Sequence, residues 1–319
     1  MLRPVPPVGR YHKIRQVPRT VSTPQEFDQT IDRAVLANLM PKAPFIDRST
    51  PITTIGSCFA GNIAAALTGA GYNVHHLDVS ERLFNPFALQ AFTEALSAAG
   101  DLSDFSQHWK VEPQTAANLR NTIAQGGLLI ITFGLAFVWI DKTTNEIVFD
   151  PTQKTGSGRL MKADPERFVM EPTGVAENVD AIAATLNAVR RISRNINIVM
   201  TLSPVHMARA ISDYPAVAAD AISKSTLRCA LHEILSLRLQ NTYYFPSFEI
   251  LRWFGPMVDV TFGGVDIQHI DPAWVAYTLS KFRQYYCVGE LPILPPFVLR
   301  KPFETVVMPA PEEGEPQAI

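Results

Sequence analysis

The chain has 319 residues, 47% hydrophobic and 18% charged, enough apolar material for a sizeable core in one large or two ordinary domains. Its 28 Lys and Arg against 30 Asp and Glu leave a net charge of −2, which excludes the basic balance of a general nucleic-acid binder. Three cysteines, Cys58, Cys229 and Cys287, are too scattered for a disulfide framework or a zinc site. With a first stretch that lacks the apolar core of a signal peptide, they point to a reducing, cytoplasmic setting.

Residues 1–49 and 289–319 are rich in proline and turn formers and read as an extended N-terminal arm and a C-terminal tail. Between them, over 50–288, short apolar runs alternate with longer amphipathic ones, the pattern of a parallel sheet covered by helices on both faces. The first strand is residues 51–55. Gly56 turns the chain, and a helix starts near Ser57 and stops at Gly69 and Gly71. Residues 72–77 read as a second strand, and an Asn85-Pro86-Phe87 loop precedes a helix over 88–98. Residues 121–140 carry no charge, but their apolar heart is broken by Gly134 and falls short of the ~20 residues a membrane span needs. It is expected as a buried central strand over 128–132. Residues 141–172 are richer in charge and turn formers, and read as a hairpin or lid inserted in the sheet fold. A helix over Val175–Ile192, a strand over 196–202 stopped by Pro204, a helix over 219–239, a short strand over 243–245 and a closing helix over Pro272–Tyr286 complete the alternation.

In an open parallel sheet, ligands bind beyond the carboxyl ends of the strands, so Ser57, Asn85, Gly134, and Ser203 with His206 are the candidates. Ser57 sits where the N–H groups of a helix start can stabilise an oxyanion, although serine is also a favoured N-cap. The spacing Asp266-Ile-Gln-His269 can set a carboxylate against one imidazole nitrogen and leave the other for a nucleophile. Equally, Asp266 can cap the last helix and His269 can sit on a surface turn. Cys58 points about 100° away from Ser57 on a helix and is expected to be a small buried hydrophobe. His206 can bind a substrate hydroxyl, act as an alternative base, or be a simple loop histidine. Trp139 and Trp274 fall in core patterns, Trp253 is the best tryptophan to line a pocket, and Arg252 beside it is expected to be solvated. His75 and His76, adjacent in a strand, point to opposite faces. No metal-ligand spacing, dinucleotide loop or Walker lysine is present, so no metal and no cofactor are expected.

The segments Gly56-Ser-Cys-Phe-Ala60, Asn85-Pro86-Phe87, Thr132-Phe-Gly-Leu-Ala-Phe-Val-Trp139, Thr201-Leu-Ser-Pro-Val205, Ser223-Lys-Ser-Thr-Leu-Arg228, Tyr244-Phe-Pro-Ser-Phe-Glu249 and Asp266-Ile-Gln-His269 resemble the GSCFA family, a branch of the SGNH or GDSL-type esterase superfamily. The resemblance covers roughly residues 50 to 287. It implies a three-layer α/β/α fold with a mainly parallel, flavodoxin-like sheet. It also implies Ser57 as nucleophile, His269 as base and Asp266 as its orienting partner; with no side-chain donor after Gly134, the oxyanion hole is left to backbone N–H groups at Ser57, around Asn85 and around Gly134, or to the Asn85 amide. The implied activity is ester hydrolysis or O-acyl transfer through an acyl-serine, on O-acyl (acetyl) esters of carbohydrates. Ser203, His206 and Trp253 would then contact the small-molecule or glycan ester. The sequence departs from the pattern after Gly134. There SGNH enzymes supply an asparagine donor and GSCFA proteins usually carry threonine, whereas Leu135 and Ala136 follow here. An Asn-Cys-His type segment is also missing from 150–165. Those departures sustain a second reading, a non-catalytic glycan- or protein-binding member of the same fold.

Overall fold

A computed structural model describes residues 20–78, 83–98, 109, 111–149, 163–207, 210, 212–258, 270–291 and 293–300. Along the chain run α1 (Pro24–Ile31), β1 (Ile52–Gly56), α2 (Cys58–Gly69), β2 (Val74–His76), α3 (Pro86–Ala98), α4 (Pro113–Ala124) and β3 (Leu128–Phe133). After them come β4 (Phe137–Asp141), β5 (Glu146–Val148), β6 (Phe168–Pro172), α5 (Val175–Ile192), β7 (Asn197–Leu202), α6 (Ala216–Ser236), β8 (Thr242–Tyr244), α7 (Ser247–Phe254) and α8 (Pro272–Tyr286).

The main sheet has the order β2-β1-β3-β7-β8, with every neighbouring pair parallel. Counted within that sheet alone, this is the 2-1-3-4-5 order of flavodoxin-like folds, whose switch point lies between β1 and β3. The three central strands, β1, β3 and β7, are buried on both faces, which is why they are β-branched and mainly apolar. Successive residues serve opposite layers. Leu129, Ile131 and Phe133 pack with α3, α4, α5 and α6. Leu128, Ile130 and Val199 pack with α1, α2, α7 and α8. The result is a three-layer α/β/α core.

β4, β5 and β6 form a separate antiparallel sheet with β4 at its centre. The inserted hairpin therefore begins at Phe137, four residues before the charged stretch that announced it, and residues 150–162 lie outside the described residues. Its turn is held by Asp141, which accepts from the Thr143 N–H at 2.9 Å and from the Arg167 guanidinium at 2.7 Å. Arg167, and after it Thr143, hold the Asp141 carboxyl well below the usual carboxylate range.

Residues 1–19 of the expected extended arm lie outside the described residues, and residues 24–36 are helical. Thr23 caps α1 through its hydroxyl, Pro24 opens the helix, and a π-helical turn, Asp32–Leu36, follows. Phe27, Ile31, Leu36 and Ile46 are buried in the layer that contains α8. Lys281, fully buried on α8, pairs with Asp28 at 2.6 Å and Asp32 at 2.8 Å. At the other end, Glu290 accepts from Arg48 and the Tyr72 hydroxyl and pairs with Arg283, while residues 301–319 are outside the described residues. α6 starts earlier than read, at Ala216, and ends at Ser236, because the chain reaches a left-handed turn at Arg238 (φ 52°). Among the described residues no helix is long and apolar enough to cross a membrane.

Candidate active site

The first strand delivers Ser57 to the carboxyl edge of the sheet at the switch point. Gly56 makes this possible. Its φ is 118°, and a methyl group there would stand 2.2 Å from the Thr132 carbonyl oxygen. Ser57 occupies the N-cap position of α2 (φ −63°, ψ 168°), yet its side chain makes no capping bond. Instead its Oγ lies 2.9 Å from Thr132 Oγ1 on β3, and the residue is only 2% exposed. The hydroxyl is therefore directed across the sheet edge and not at the helix it introduces.

Gly134 follows β3 and meets Ser57 directly, because a methyl on it would come within 3.1 Å of Ser57 Cβ. The expected oxyanion donors are mostly committed. Ser57 N–H donates to Thr132 O at 2.9 Å, and the N–H groups of Gly134 and Leu135 both donate to Phe84 O, at 2.8 and 3.0 Å. Neither the Ser57 nor the Gly134 amide is thus available to an oxyanion in this arrangement. Asn85 is next to Phe84, 6% exposed, and its Oδ1 accepts from Ala88 N–H at 2.9 Å. That bond fixes the carboxamide and leaves Nδ2 as its donor end.

Ser203 is 1% exposed, its N–H donates to Phe133 O at 2.8 Å, and it follows β7 on the same edge. His206 lies further along that loop. Its ring accepts from the Arg252 guanidinium and stands 3.6 Å from Asp220 Oδ2. Arg252 is accordingly not the solvated arginine that was expected. It donates to Asp220 at 2.9 Å and lies over the Phe248 ring. Trp253 is 72% exposed, because α7 turns Leu251 and Phe254 inward and Trp253 outward. Cys58 is likewise exposed, not buried, since the first turn of α2 directs Phe59 and Ala60 to the core. His269 and Asp266 lie outside the described residues.

A group that the sequence reading passed over stands beside this edge. Lys224 on α6 is 3% exposed, and its ammonium donates to Gly134 O at 2.7 Å. Ser223, adjacent to it, accepts the Ala136 N–H at 2.7 Å. Asp220, one turn back on the same helix, is 2% exposed and 4.0 Å from Lys224 Nζ. Burial pushes the Lys224 ammonium down to about 8 against the opposing pull of Asp220, and the charge of Arg252 adds to the fall. Burial alone would raise the Asp220 carboxyl, but His206, Lys224, the Met207 N–H and Arg252 together hold it low. The signal was the i, i+4 Asp220/Lys224 pair, which on a helix normally marks a solvated face. Here it faces the β3–β4 turn. Among the described residues no cluster of three His, Cys, Asp or Glu side chains could hold a metal ion.

The GSCFA family model matches residues 51–282 of the chain. No curated protein matches it. Among solved structures, a carbohydrate esterase family 2 enzyme plus carbohydrate-binding domain from Corynascus thermopiles (Myceliophthora fergusii) is similar at 15% identity and a TM-score of 0.36. That similarity covers 76% of this chain and 67% of the other.

Proposed function

The chain belongs to the GSCFA family, and from that premise we propose that it is a serine ester hydrolase or O-acyltransferase acting on O-acyl (acetyl) esters of carbohydrates. Ser57 Oγ attacks the ester carbonyl while His269, oriented by Asp266, takes its proton. The tetrahedral adduct then collapses, the alkoxide leaves with that proton, and an acyl-serine remains. Water or an acceptor hydroxyl releases the acyl group by the reverse sequence. The Asn85 amide is the donor assigned to the oxyanion. The observation that carries the reading is the Ser57 hydroxyl itself, held at the β1/β3 switch point and relieved of capping. The carbohydrate preference rests on the chemistry of the superfamily that the sequence resembles.

A binding module is the second reading. It is favoured by the occupied Ser57 and Gly134 amides, which an oxyanion hole would need unpaired. Fluorophosphonate labelling separates the two. The esterase reading expects labelling of the wild-type chain that disappears in Ser57→Ala, and hydrolysis of p-nitrophenyl acetate that falls at least 10³-fold in His269→Ala. Labelling that survives Ser57→Ala, or equal hydrolysis with and without His269, leaves the binding module.

A further inference from the structure

The β3–β4 turn, residues 134–136, is gripped from two sides. Phe84 O takes the N–H groups of Gly134 and Leu135, and α6 takes the opposite polarity, with Lys224 on Gly134 O and the Ser223 hydroxyl on Ala136 N–H. Gly134 in turn is the wall of Ser57. An ammonium withdrawn from water to this extent is costly and holds its place only through good partners. Among the described residues Lys224 has one short bond, to that carbonyl, and a carboxylate at 4.0 Å that is itself shared with Arg252. Among the described residues, two cations thus surround one buried carboxylate, beside a β3–β4 turn that itself carries no side-chain oxyanion donor.

We propose that Lys224 is a positioning residue for acyl transfer: its ammonium fixes the Gly134 carbonyl, and with it the wall of Ser57, and supplies the positive field in which the oxyanion forms. This rests on the serine-esterase reading. The field belongs to the protonated amine, so activity should fade as that amine loses its proton. The groups that act on it are Asp220 on its own helix, Arg252 from α7 and Cys58 at the start of α2, while His206, in the loop after β7, stands against Asp220. Burial places the loss near the upper end of the neutral range, at about 8.

The test is the pH dependence of p-nitrophenyl acetate hydrolysis between pH 6 and 10, with the uncatalysed rate subtracted, run beside fluorophosphonate labelling. The wild-type chain should label at Ser57, and its kcat should fall on the alkaline side with a midpoint near 8. Lys224→Met should lower kcat by about 10²-fold with little change in KM, the scale of a lost oxyanion donor. Lys224→Arg, which stays charged, should recover part of the rate and lose the alkaline fall. A labelled wild-type chain whose rate is flat from pH 7 to 10 overturns the role of Lys224, and needs no variant to fold. A folded Lys224→Met variant within twofold of wild type does the same. Absence of labelling in the wild-type chain overturns the esterase reading, and the role of Lys224 with it.

Discussion

Gly56→Ala places a methyl carbon 2.2 Å from the Thr132 oxygen and 3.0 Å from the Thr132 carbonyl carbon and nitrogen, in a backbone with φ 118°. A carbon–oxygen contact normally opens to about 3.3 Å, so β1 and β3 must part by about 1 Å. They must do so where Ser57 N–H donates to that same oxygen at 2.9 Å. Overpacking of a dense core costs about 1–3 kcal/mol, the weakened buried bond about 1 kcal/mol, and a side chain in a left-handed backbone about 1–2 kcal/mol. The sum, about 3–6 kcal/mol, is a large part of the stability of an ordinary domain. Gly126→Ala is the matched control, because its φ is 82° and nothing lies within 4 Å of the added carbon. Only the backbone strain applies there, about 1–2 kcal/mol. Urea unfolding followed by far-UV circular dichroism should show a midpoint for Gly56→Ala well below that of Gly126→Ala at a similar slope. Fluorophosphonate reactivity of Ser57 should fall in the first variant alone. Equal midpoints for the two would refute the steric argument and the assigned approach of β1 to β3.

Lys281→Met leaves Asp28 and Asp32 facing α8 without their shared cation, so the melting midpoint should drop by the equivalent of about 3 kcal/mol. Adding Asp28→Asn should recover part of it, and additive losses in the double variant would contradict the pairing. Ellman's reagent should titrate Cys58 and Cys229 in the native protein, and Cys287 only after unfolding, since burial pushes its thiol up to about 11. Rapid reaction of all three thiols in the native state would show that α8 does not cover Cys287. Trp253→Ala, at a 72% exposed position, should leave the melting midpoint within about 0.5 kcal/mol of wild type. It should also raise KM at least tenfold for an acetylated oligosaccharide and not for p-nitrophenyl acetate, and an unchanged KM for both would remove Trp253 from the substrate surface.

The strand–Gly56–Ser57–helix unit was legible because period, glycine and β-branched run all agree over a few residues. The sheet order was legible only through the family resemblance, since alternation alone does not say which strands are neighbours. α1 was hidden by its own punctuation. The prolines that suggested an extended arm include Pro24, which opens the helix behind a Thr23 cap. Cys58 was misjudged because a step of about 100° from Ser57 separates the two side chains without saying which of them faces the core, and Arg252 because its acceptor Asp220 lies far away in sequence. Lys224 left only an ambiguous trace in the pattern, the i, i+4 pair with Asp220 that normally marks a solvated face. Its neighbour is a backbone carbonyl, and a carbonyl leaves no trace in the residue type.

The contact between Asp28 and Tyr277 spans 249 positions, and the Ile46–Cys287 bridge joins the same two regions. During synthesis, then, the aromatic face of α1 waits until α8, 249 positions further along, has emerged from the ribosome. Phe27 meets Trp274 and Tyr277 only at that late stage. Until then it is an open apolar surface for chaperones or for neighbouring nascent chains, so yield on expression should respond to growth temperature more steeply than the finished protein's melting point would indicate.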